Sequence, residues 1–431
     1  MNSFNTKEIF IYKNKKLYGK MLDNKVFLLK NGDFVLDDSL KCELLDILPE
    51  GIDLQIMLRN FTAQKPIELL PFLRNTIGDF DFSTIPNKTN FDKPIMSNLR
   101  AQNTFPFVLE NCLAIKENLL NPSVNFTLDK DTQRFSLSGY QHKLQASIVN
   151  DLIVDDYGDF IFKPYNQNYS QLPENEHLNV SFMREFGFEV PFNGLVYHRT
   201  MSVYHYFIKR FDIDENGNKL PQISLNALMK SDDKYEGSIE KACEFLRDKL
   251  DKTQKMLFLR FIYANALLHN NDLHKKNIGF VFKDNKLVLS PIYDIINCFV
   301  IRGISDKQCA LPIRGHDDGI RINYFKQSAE NLGLDFDKVR ENLQEIQTIF
   351  LEKYPRYVEK LFKIPHIENI LRFKEKLLES HKKCAKIAKS EANNELEKAN
   401  KNAKFAKIIT PSAAQEKIVD RFEIKTNKTS E

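Results

Sequence analysis

Apolar and polar positions alternate in short runs through the first part of the chain. Residues 9–36 read IFIYKNKKLYGKMLDNKVFLLKNGDFVL, and turn residues such as those at 31–33 separate the apolar pairs. Alternation of this kind predicts a small antiparallel sheet. The segments LPEGIDLQIMLRN and PIELLPFLRNTIGDF are predicted to form short helices, and the Pro- and Asn-rich residues 83–96 are predicted to form a linker.

A second region of strand-like text runs from about residue 126 to residue 212. Its strands are RFSLSGYQHKLQASIVND, DFIFKP and YHYFIKRFDI, and PENEHLNVSFMREFGFEVP between the last two predicts a helix that begins near Asn175 and ends at Gly187. After residue 212 the apolar spacing becomes helical, with one strand pair, IGFVF and KLVLSPIYDI, inside it. The Lys-, Ala- and Glu-rich text after about residue 372 predicts a long exposed helix that frays into disorder.

Length, composition and charge narrow the class of protein. The chain has 431 residues, of which 42% are hydrophobic and 28% charged, and this is typical of a soluble globular protein of two or three domains. The net charge of +4 is too small to indicate nucleic-acid binding by itself. The six cysteines form no CxxC pair, and we find neither a signal peptide nor an apolar run of about 18 residues. We therefore expect a cytoplasmic protein with free thiols.

The stretch HNNDLHKKNIGFVFK, residues 269–283, concentrates polar side chains between an apolar helix and an apolar strand. Asp272 and Asn277 have the D-x-x-x-x-N spacing of a protein-kinase catalytic loop, in which the Asp accepts a hydroxyl proton and the Asn holds a metal ion. Asp294, in PIYDI, stands where kinases place a second metal-binding carboxylate. Because Mg²⁺ needs hard oxygen ligands, Asn277 and Asp294 are predicted to hold Mg²⁺, and Asp272 is predicted to act as the base.

The upstream text supplies the other parts of a kinase in the expected order. Lys163 ends the strand DFIFKP and is predicted to contact the phosphates of ATP, with Glu176 in the next helix as its partner. The strand YFIKRFD fits a hinge that meets adenine and ends in Asp212 near a ribose. The loop from Ser136 to Lys143 takes the place of a Gly-rich loop, although it contains one glycine.

Each of these residues also has a plain structural interpretation. Taken singly, Lys163 and Glu176 are ordinary solvated side chains, and Asp272 caps or ends the preceding helix. His269 and His274 are close in sequence, but no Cys or further His supports a metal site there. The order of the parts along the chain, more than any one residue, favours a kinase.

The combination resembles the HipA family of bacterial serine/threonine kinases, the toxins of toxin–antitoxin modules. The motifs that carry the resemblance occur in family order and are SLSGYQHKL, IFKPYNQ, PENEHLNVSFMREFGFEVP, IKRFDI, LRFIYANALLHNNDLHKKNIGFVF and LSPIYDII. The resemblance implies an α+β, bilobal, protein-kinase-like fold. Its expected parts are a β-rich N-terminal subdomain (1–95), a nucleotide-binding lobe (96–212), an all-helical C-terminal lobe with the catalytic loop and the metal-binding Asp (213–378), and a Lys-rich tail (379–431).

The resemblance also implies roles for individual residues. The residues implied to contact the nucleotide are Lys209 and Phe211 through their backbones at adenine, His274 near the phosphates, and Gly139, Gln141 and Lys143 in the phosphate loop. Family members autophosphorylate on a serine of that loop, which corresponds to Ser136. Relatives with an S-x-S text use both serines, which adds Ser138.

The expected activity is ATP- and Mg²⁺-dependent phosphorylation of a protein. By the resemblance, the substrate is an aminoacyl-tRNA synthetase and the partner is a helix-turn-helix antitoxin. We expect no direct nucleic-acid binding without that partner and no membrane association. Three alternatives stay open: a catalytically weak co-repressor that acts with the antitoxin, a HipA-like kinase secreted by a specialised route to act on host proteins, and a small-molecule or lipid kinase.

Overall fold

The computed structural model of the protein describes residues 8–89, 93–99, 104–110, 112–123, 125–127, 137–139, 141–169, 171–301, 303, 307–367 and 370–409. Ser136, a predicted phosphorylation site, lies outside the described residues. The chain falls into two compact units, Met1–Lys382 and Lys383–Glu431. Within the described ranges, no helix combines the length and the apolar character needed to cross a membrane.

The first sheet is antiparallel and is built from the predicted alternating text. Its strands are β1 (Glu8–Lys13), β2 (Lys16–Leu22), β3 (Lys25–Lys30), β4 (Asp33–Leu36) and β5 (Phe80–Ser83). They lie in the order β4-β3-β2-β1-β5. The turns between the first four strands contain residues of positive φ, among them Asn14, Asn24 and Gly32. Short hairpin turns require this backbone conformation, which Asn and Gly adopt readily, so the prediction of a small antiparallel sheet is confirmed.

Two short α-helices and two 3-10 helices lie between β4 and β5. They are the 3-10 helix Asp38–Leu40, α1 (Lys41–Asp46), which directly follows it, α2 (Gly51–Asn60) and the 3-10 helix Pro66–Phe72. The predicted helix over PIELLPFLRNTIGDF is wrong in its second half, because the helix ends at Phe72 and the chain enters β5 at Phe80. Asn75 and Gly78 have φ of 47° and 78°, values that a right-handed helix does not allow.

The second sheet has seven strands and carries the predicted lysine. The strands are β6 (Val108–Glu110), β7 (Leu113–Ala114), β8 (Leu144–Val149), β9 (Leu152–Val154), β10 (Phe160–Lys163), β11 (Asn193–His198) and β12 (Val203–Lys209), in the order β6-β11-β12-β10-β8-β9-β7. Helix α3 (Glu117–Leu120) is short, and α4 (Leu172–Phe182) packs against β11 and β12. A 3-10 turn extends α4 until Gly187, with φ 84°, ends it as predicted.

The remainder of the chain is mainly helical. Its helices are α5 (Leu225–Leu228), α6 (Ile239–Leu246), α7 (Lys252–Leu267), α8 (Lys326–Leu332), α9 (Phe336–Leu361) and α10 (Leu371–Ile409). The predicted strand pair is present as β14 (Gly279–Lys283) and β15 (Lys286–Leu289). A third strand, β13 (Gln222–Ser224), pairs with β14. This lobe is therefore not entirely helical; β13 is too short to leave a period-2 pattern, and its pairing with β14 is a long-range contact.

A buried ion pair joins the end of β12 to the segment before β5. Arg210 donates to the carboxylate of Asp212 at 3.0 and 2.6 Å. The same guanidinium donates to the carbonyls of Asn75 and Thr76 at 2.7 and 2.8 Å. The backbone amide of Gly78 donates to Asp212 at 2.8 Å. This set of charge-assisted hydrogen bonds holds the segment before β5 and the end of β12 in one fixed relation.

Replacing Arg210 with Met is expected to lower the free energy of unfolding by about 3–5 kcal/mol, because Asp212 would stay buried without its cation. Chemical denaturation followed by circular dichroism measures this loss. Lys30→Met, which removes the exposed 3.0 Å pair with Asp37, is the control and is expected to leave the unfolding curve unchanged. Equal effects of the two substitutions would contradict the structural role of Arg210.

Candidate active site

A cavity of about 950 Å³ lies between the seven-stranded sheet and the helical lobe. Its walls contain every predicted site residue that the structure describes. These are Ser138, Gly139, Gln141, Lys143, Lys163, Glu176, Lys209, Phe211, Asp212, Asp272, His274, Asn277 and Asp294. Folding therefore brings together residues that are up to 156 positions apart, from Ser138 to Asp294.

The ammonium group of Lys163 lies on the wall of the cavity. This side chain ends β10, is 3% exposed, and donates to the carboxylate of Glu176 at 2.6 Å. It also forms an ion pair with the carboxylate of Asp294. Glu176 comes from α4, which is buried along its whole length, so its position is fixed by packing on both sides. The predicted partnership of Lys163 and Glu176 is thus present as a contact, with Asp294 as a second partner.

Lys163, Glu176 and Asp294 form a charged trio, and each charge shifts the pKa values of the other members. Burial lowers the pKa of Lys163, but Asp294 and Glu176 outweigh it, so the pKa is raised and the group stays charged. Burial raises the pKa of Glu176, and the charge of Lys163 opposes the rise. For Asp294, the positive charges of Lys163 and Lys143 outweigh burial and hold its pKa below the ordinary value. Asp294 is therefore an ionised carboxylate that faces the cavity.

The predicted phosphate loop lines the same cavity as Lys163, Glu176 and Asp294. Lys143 is buried, burial lowers its pKa, and its charge acts on Asp294 and Lys163. Gly139 has φ 109°, and a Cβ placed on it would lie 2.8 Å from the Lys143 ammonium nitrogen. Glycine at this position therefore allows both the backbone conformation and the close approach of the lysine. Ser138 is half-buried in the cavity wall.

The polar stretch after α7 forms a tight loop closed by hydrogen bonds. The carbonyl of Asp272 accepts from the backbone amide of His274 at 2.8 Å and from the side-chain amide of Asn277 at 2.9 Å. The bond uses the amide nitrogen of Asn277, so its amide oxygen is the atom that a cation would bind. The side chain of Asp272 is 48% exposed, which leaves the carboxylate open to the cavity. Partial burial, followed by the charge of Asp294, raises the pKa of Asp272 to about 6.

His274 is a neutral member of this loop. Burial, followed by the charge of Lys234, lowers its pKa to about 4. Its ring packs edge-on to Tyr235 with 5.1 Å between centroids and lies 3.9 Å from the Asp272 carboxylate. At neutral pH this contact is not an ion pair, because the imidazole carries no charge.

The predicted hinge follows β12 and lines the cavity. The amide of Lys209 donates to the carbonyl of Phe192 at 2.8 Å, and the ring of Phe211 lies 5.6 Å from that of Tyr293. Asp212 lines the cavity, but its carboxylate is already bound by Arg210 and Gly78. Burial would raise the pKa of Asp212, and Arg210 outweighs it and keeps the pKa low. These contacts favour a structural role for Asp212 at the end of the hinge.

Sequence reasoning missed a group of charges on the cavity wall. Glu50, which precedes α2, accepts from Lys276 at 2.7 Å and from Lys234 at 3.0 Å. Both residues lie in segments for which the sequence made a prediction: Lys276 in the predicted catalytic loop, and Glu50 in the predicted helix that begins with LPEGID. The contact itself joins residues 226 positions apart, and no local pattern reports such a pair.

The cavity offers oxygen ligands suited to Mg²⁺. Asp294 supplies an ionised carboxylate and Asn277 an amide oxygen, which are hard donors of the kind Mg²⁺ prefers. Among the described residues, no group of three or more His, Cys, Asp or Glu side chains could hold a metal ion alone. A kinase magnesium ion takes part of its coordination from nucleotide phosphates, so two protein ligands fit that chemistry.

Comparison with known proteins identifies the family. A model of the HipA-like C-terminal domain matches residues 135–353, about half of the chain. The chain belongs to the HipA-like family. A Haemophilus influenzae protein named "Putative kinase" is 31% identical to this HipA-like chain over 274 residues, which are 56% of the chain and 80% of the relative. "Putative kinase Y4dM" of Sinorhizobium fredii is 29% identical over 185 residues, which are 38% of the chain and 45% of that relative.

A solved structure shows the same fold. It is a chain from the Shewanella oneidensis MR-1 toxin–antitoxin complex of HipA, HipB and operator DNA. The match has a TM-score of 0.63 at 17% identity and covers 88% of this HipA-like chain and 97% of the other. The predicted HipA-like α+β fold is confirmed.

Replacing Lys163 with Met is expected to lower the free energy of unfolding by about 3 kcal/mol or more, because two carboxylates would face each other without a cation. Denaturant unfolding measures the loss. Lys209→Met, on the wall of the same cavity, serves as the matched control and is expected to be close to wild type. Equal stability of the two variants would show that Lys163 is not held between Glu176 and Asp294.

Proposed function

We propose that the protein is an ATP- and Mg²⁺-dependent protein serine/threonine kinase of the HipA toxin type. The observation that carries the proposal is the contact of one buried lysine, Lys163, with both Glu176 and Asp294 in a cavity whose wall also holds Asp272 and Asn277. This set contains a phosphate cation, its helix carboxylate, a base and two oxygen ligands, which are the parts that phosphoryl transfer requires.

Asp272 is the proposed catalytic base. Its carboxylate is open to the cavity, and the hydrogen bonds that His274 and Asn277 donate to its carbonyl hold the loop in place. A hydroxyl brought within hydrogen-bond distance of this carboxylate would transfer its proton there as its oxygen attacks the γ-phosphorus of ATP. The bond from that phosphorus to the bridging oxygen would break, and ADP would leave. Neutral His274 lies beside the base and would face the phosphates without adding charge.

The remaining residues would bind the nucleotide. The backbones of Lys209 and Phe211 would meet adenine, and Asp212 would fix the end of the hinge near the ribose. The phosphates would lie between Lys163 and the loop residues Gly139, Gln141 and Lys143. Mg²⁺ bound by Asn277 and Asp294 would neutralise charge on the phosphate oxygens.

The same cavity supports a proposal for self-regulation. Ser138 lines the cavity, and Ser136, outside the described residues, lies two positions earlier. We propose that both are autophosphorylated. A phosphoserine here would add about −1.5 to −2 charges where the phosphates of ATP bind, so modification would eject the loop and inhibit the kinase.

The substrate and partner proposals rest on the family. The solved relative is described with HipB and operator DNA, and by analogy we propose a helix-turn-helix antitoxin as partner and an aminoacyl-tRNA synthetase as substrate. We propose action in the cytoplasm and no direct DNA contact without the antitoxin. The proposed domains are residues 1–95, 96–212, 213–378 and 379–431.

Asp272→Asn is expected to slow phosphate transfer from labelled ATP by about 10²–10⁴-fold, because the amide cannot accept the hydroxyl proton. Mass spectrometry would locate the label on Ser136 or Ser138 of the wild type. Asp284→Asn, at the exposed turn between β14 and β15, is the control and is expected to retain activity. Absence of label from the wild type as well would favour the co-repressor alternative.

A Ser136→Asp, Ser138→Asp protein is expected to bind ATP at least about tenfold more weakly, because the added charge repels the phosphates. Isothermal calorimetry with ATP and Mg²⁺ measures the dissociation constant. The Ser136→Asn, Ser138→Asn protein controls for side-chain size without charge. Wild-type affinity in the Asp variant would refute inhibition by ejection of the loop.

A further inference from the structure

Residues 49–53, at the start of α2, contact the phosphate loop through their backbone. We call them the clamp segment. The amide of Glu50 donates to the carbonyl of Gly139 at 3.1 Å, and Pro49 and Gly139 form a short parallel bridge. The segment between α1 and α2 therefore meets the one glycine of the loop directly. A loop that depends on a single glycine gains from such an external support, because its other residues are less free to adopt turn conformations.

A buried ion pair makes a second contact between the clamp segment and the loop. Asp53 is 1% exposed, and its carboxylate lies 2.6 Å from Nδ1 of His142. The other ring nitrogen of His142 lies 2.8 Å from the carbonyl of Leu119. The Leu119 carbonyl accepts only, and so does an ionised Asp53 carboxylate, so this geometry suits a ring that donates from both nitrogens. The electrostatics agree: burial lowers the pKa of His142, but Asp53 outweighs it and the pKa is raised.

The same carboxylate reaches the phosphate-binding lysine. The second oxygen of Asp53 accepts from the backbone amide of Lys143 at 3.4 Å. Asp53 thus holds two consecutive residues of the loop, and the second of them carries an ammonium group beside Asp294 and Lys163. A shift of Asp53 would move Lys143 away from the position where we propose that phosphate binds.

The clamp segment also reaches the catalytic loop. The Glu50 side chain accepts from Lys276 at 2.7 Å and from Lys234 at 3.0 Å. Lys276 lies between Asp272 and Asn277, the proposed base and metal ligand. Burial raises the pKa of Glu50, but the two lysines outweigh it and lower the pKa to about 2. Glu50 therefore connects two loops: its backbone amide contacts the phosphate loop at Gly139, and its carboxylate contacts the catalytic loop at Lys276.

We propose that the clamp segment positions the phosphate loop relative to the catalytic loop, with Asp53 and Glu50 as positioning residues that act through the loop residues they contact. The expected effect on ATP binding rests on the proposed kinase function. The positioning of the loop rests only on the contacts of Asp53 and Glu50. Ejection of the loop would have to break the Asp53–His142 pair and the Glu50–Gly139 bond. The N-terminal sheet unit would therefore set how readily phosphorylation of Ser138 releases the loop.

Asp53→Asn tests the clamp by removing the charge and leaving the shape. In the nucleotide-free protein, amide hydrogen exchange at Gly139, Gln141, His142 and Lys143 is expected to become about tenfold faster. The dissociation constant for ATP is expected to rise about tenfold, whereas kcat at saturating ATP stays within about twofold. Asp37→Asn, at an exposed cap in the same sheet unit, is the matched control and is expected to change none of these quantities.

Further variants separate positioning from general destabilisation. His142→Gln, at the other end of the pair, is expected to reproduce the effects and replaces Asp53→Asn if the latter does not fold. The protein that carries both Asp53→Asn and His142→Gln is expected to bind ATP as tightly as whichever single variant binds ATP more weakly. The reason is that both substitutions remove the same Asp53–His142 interaction. Additive losses, or unchanged exchange and affinity in either folded variant, would overturn the proposal. If the wild-type protein binds no ATP, the kinase function is refuted. The amide exchange rates of the variants would still show whether the clamp segment positions the loop.

Discussion

The rest of the structure depends on the buried ammonium group of Lys163, which two carboxylates hold together. Lys163 is 3% exposed, and an unpaired charge at that depth would cost several kcal/mol. Glu176 reaches it from 13 residues away on α4, and Asp294 from 131 residues away beyond β15. Because both partners must meet one nitrogen atom, the seven-stranded sheet, α4 and the segment after β15 are fixed around a single point of the cavity.

Hydrogen-bonded amides extend this constraint to the helical lobe. Asn175, next to Glu176, donates to the carbonyl of Asn297 at 2.9 Å and accepts from its amide at 2.8 Å. The side chain of Asn297 donates to Ser380 on α10 at 3.0 Å. All three side chains are buried, so leaving any of them unpaired would be costly. The segment that carries Asp294 is therefore anchored on α4 on one side and on a C-terminal helix on the other.

Besides the Glu50 pairs with Lys234 and Lys276, contacts of charged side chains join the first sheet unit to the cavity at the hinge and at the phosphate loop. Arg210 binds Asp212 and the backbone before β5 at the hinge, and Asp53 binds His142 at the phosphate loop. Directional contacts of this kind fix relative position more strictly than apolar packing, which tolerates small shifts. Both lie at the edge of the proposed nucleotide site, so the N-terminal unit and the nucleotide lobe form one positioned assembly around the cavity.

The sequence by itself determined the elements and the loop chemistry that are encoded locally. Turn residues between alternating segments predicted the first four strands. The D-x-x-x-x-N spacing placed Asp272 and Asn277 in one short loop, in which the Asn277 side chain donates to the Asp272 carbonyl. The sequence did not predict β5, whose partner β1 is about 70 residues away, or the role of Arg210 beside Asp212. Only the tertiary structure decided which distant charges pair, because local patterns report neighbours along one helix or strand, and packing decides which elements meet.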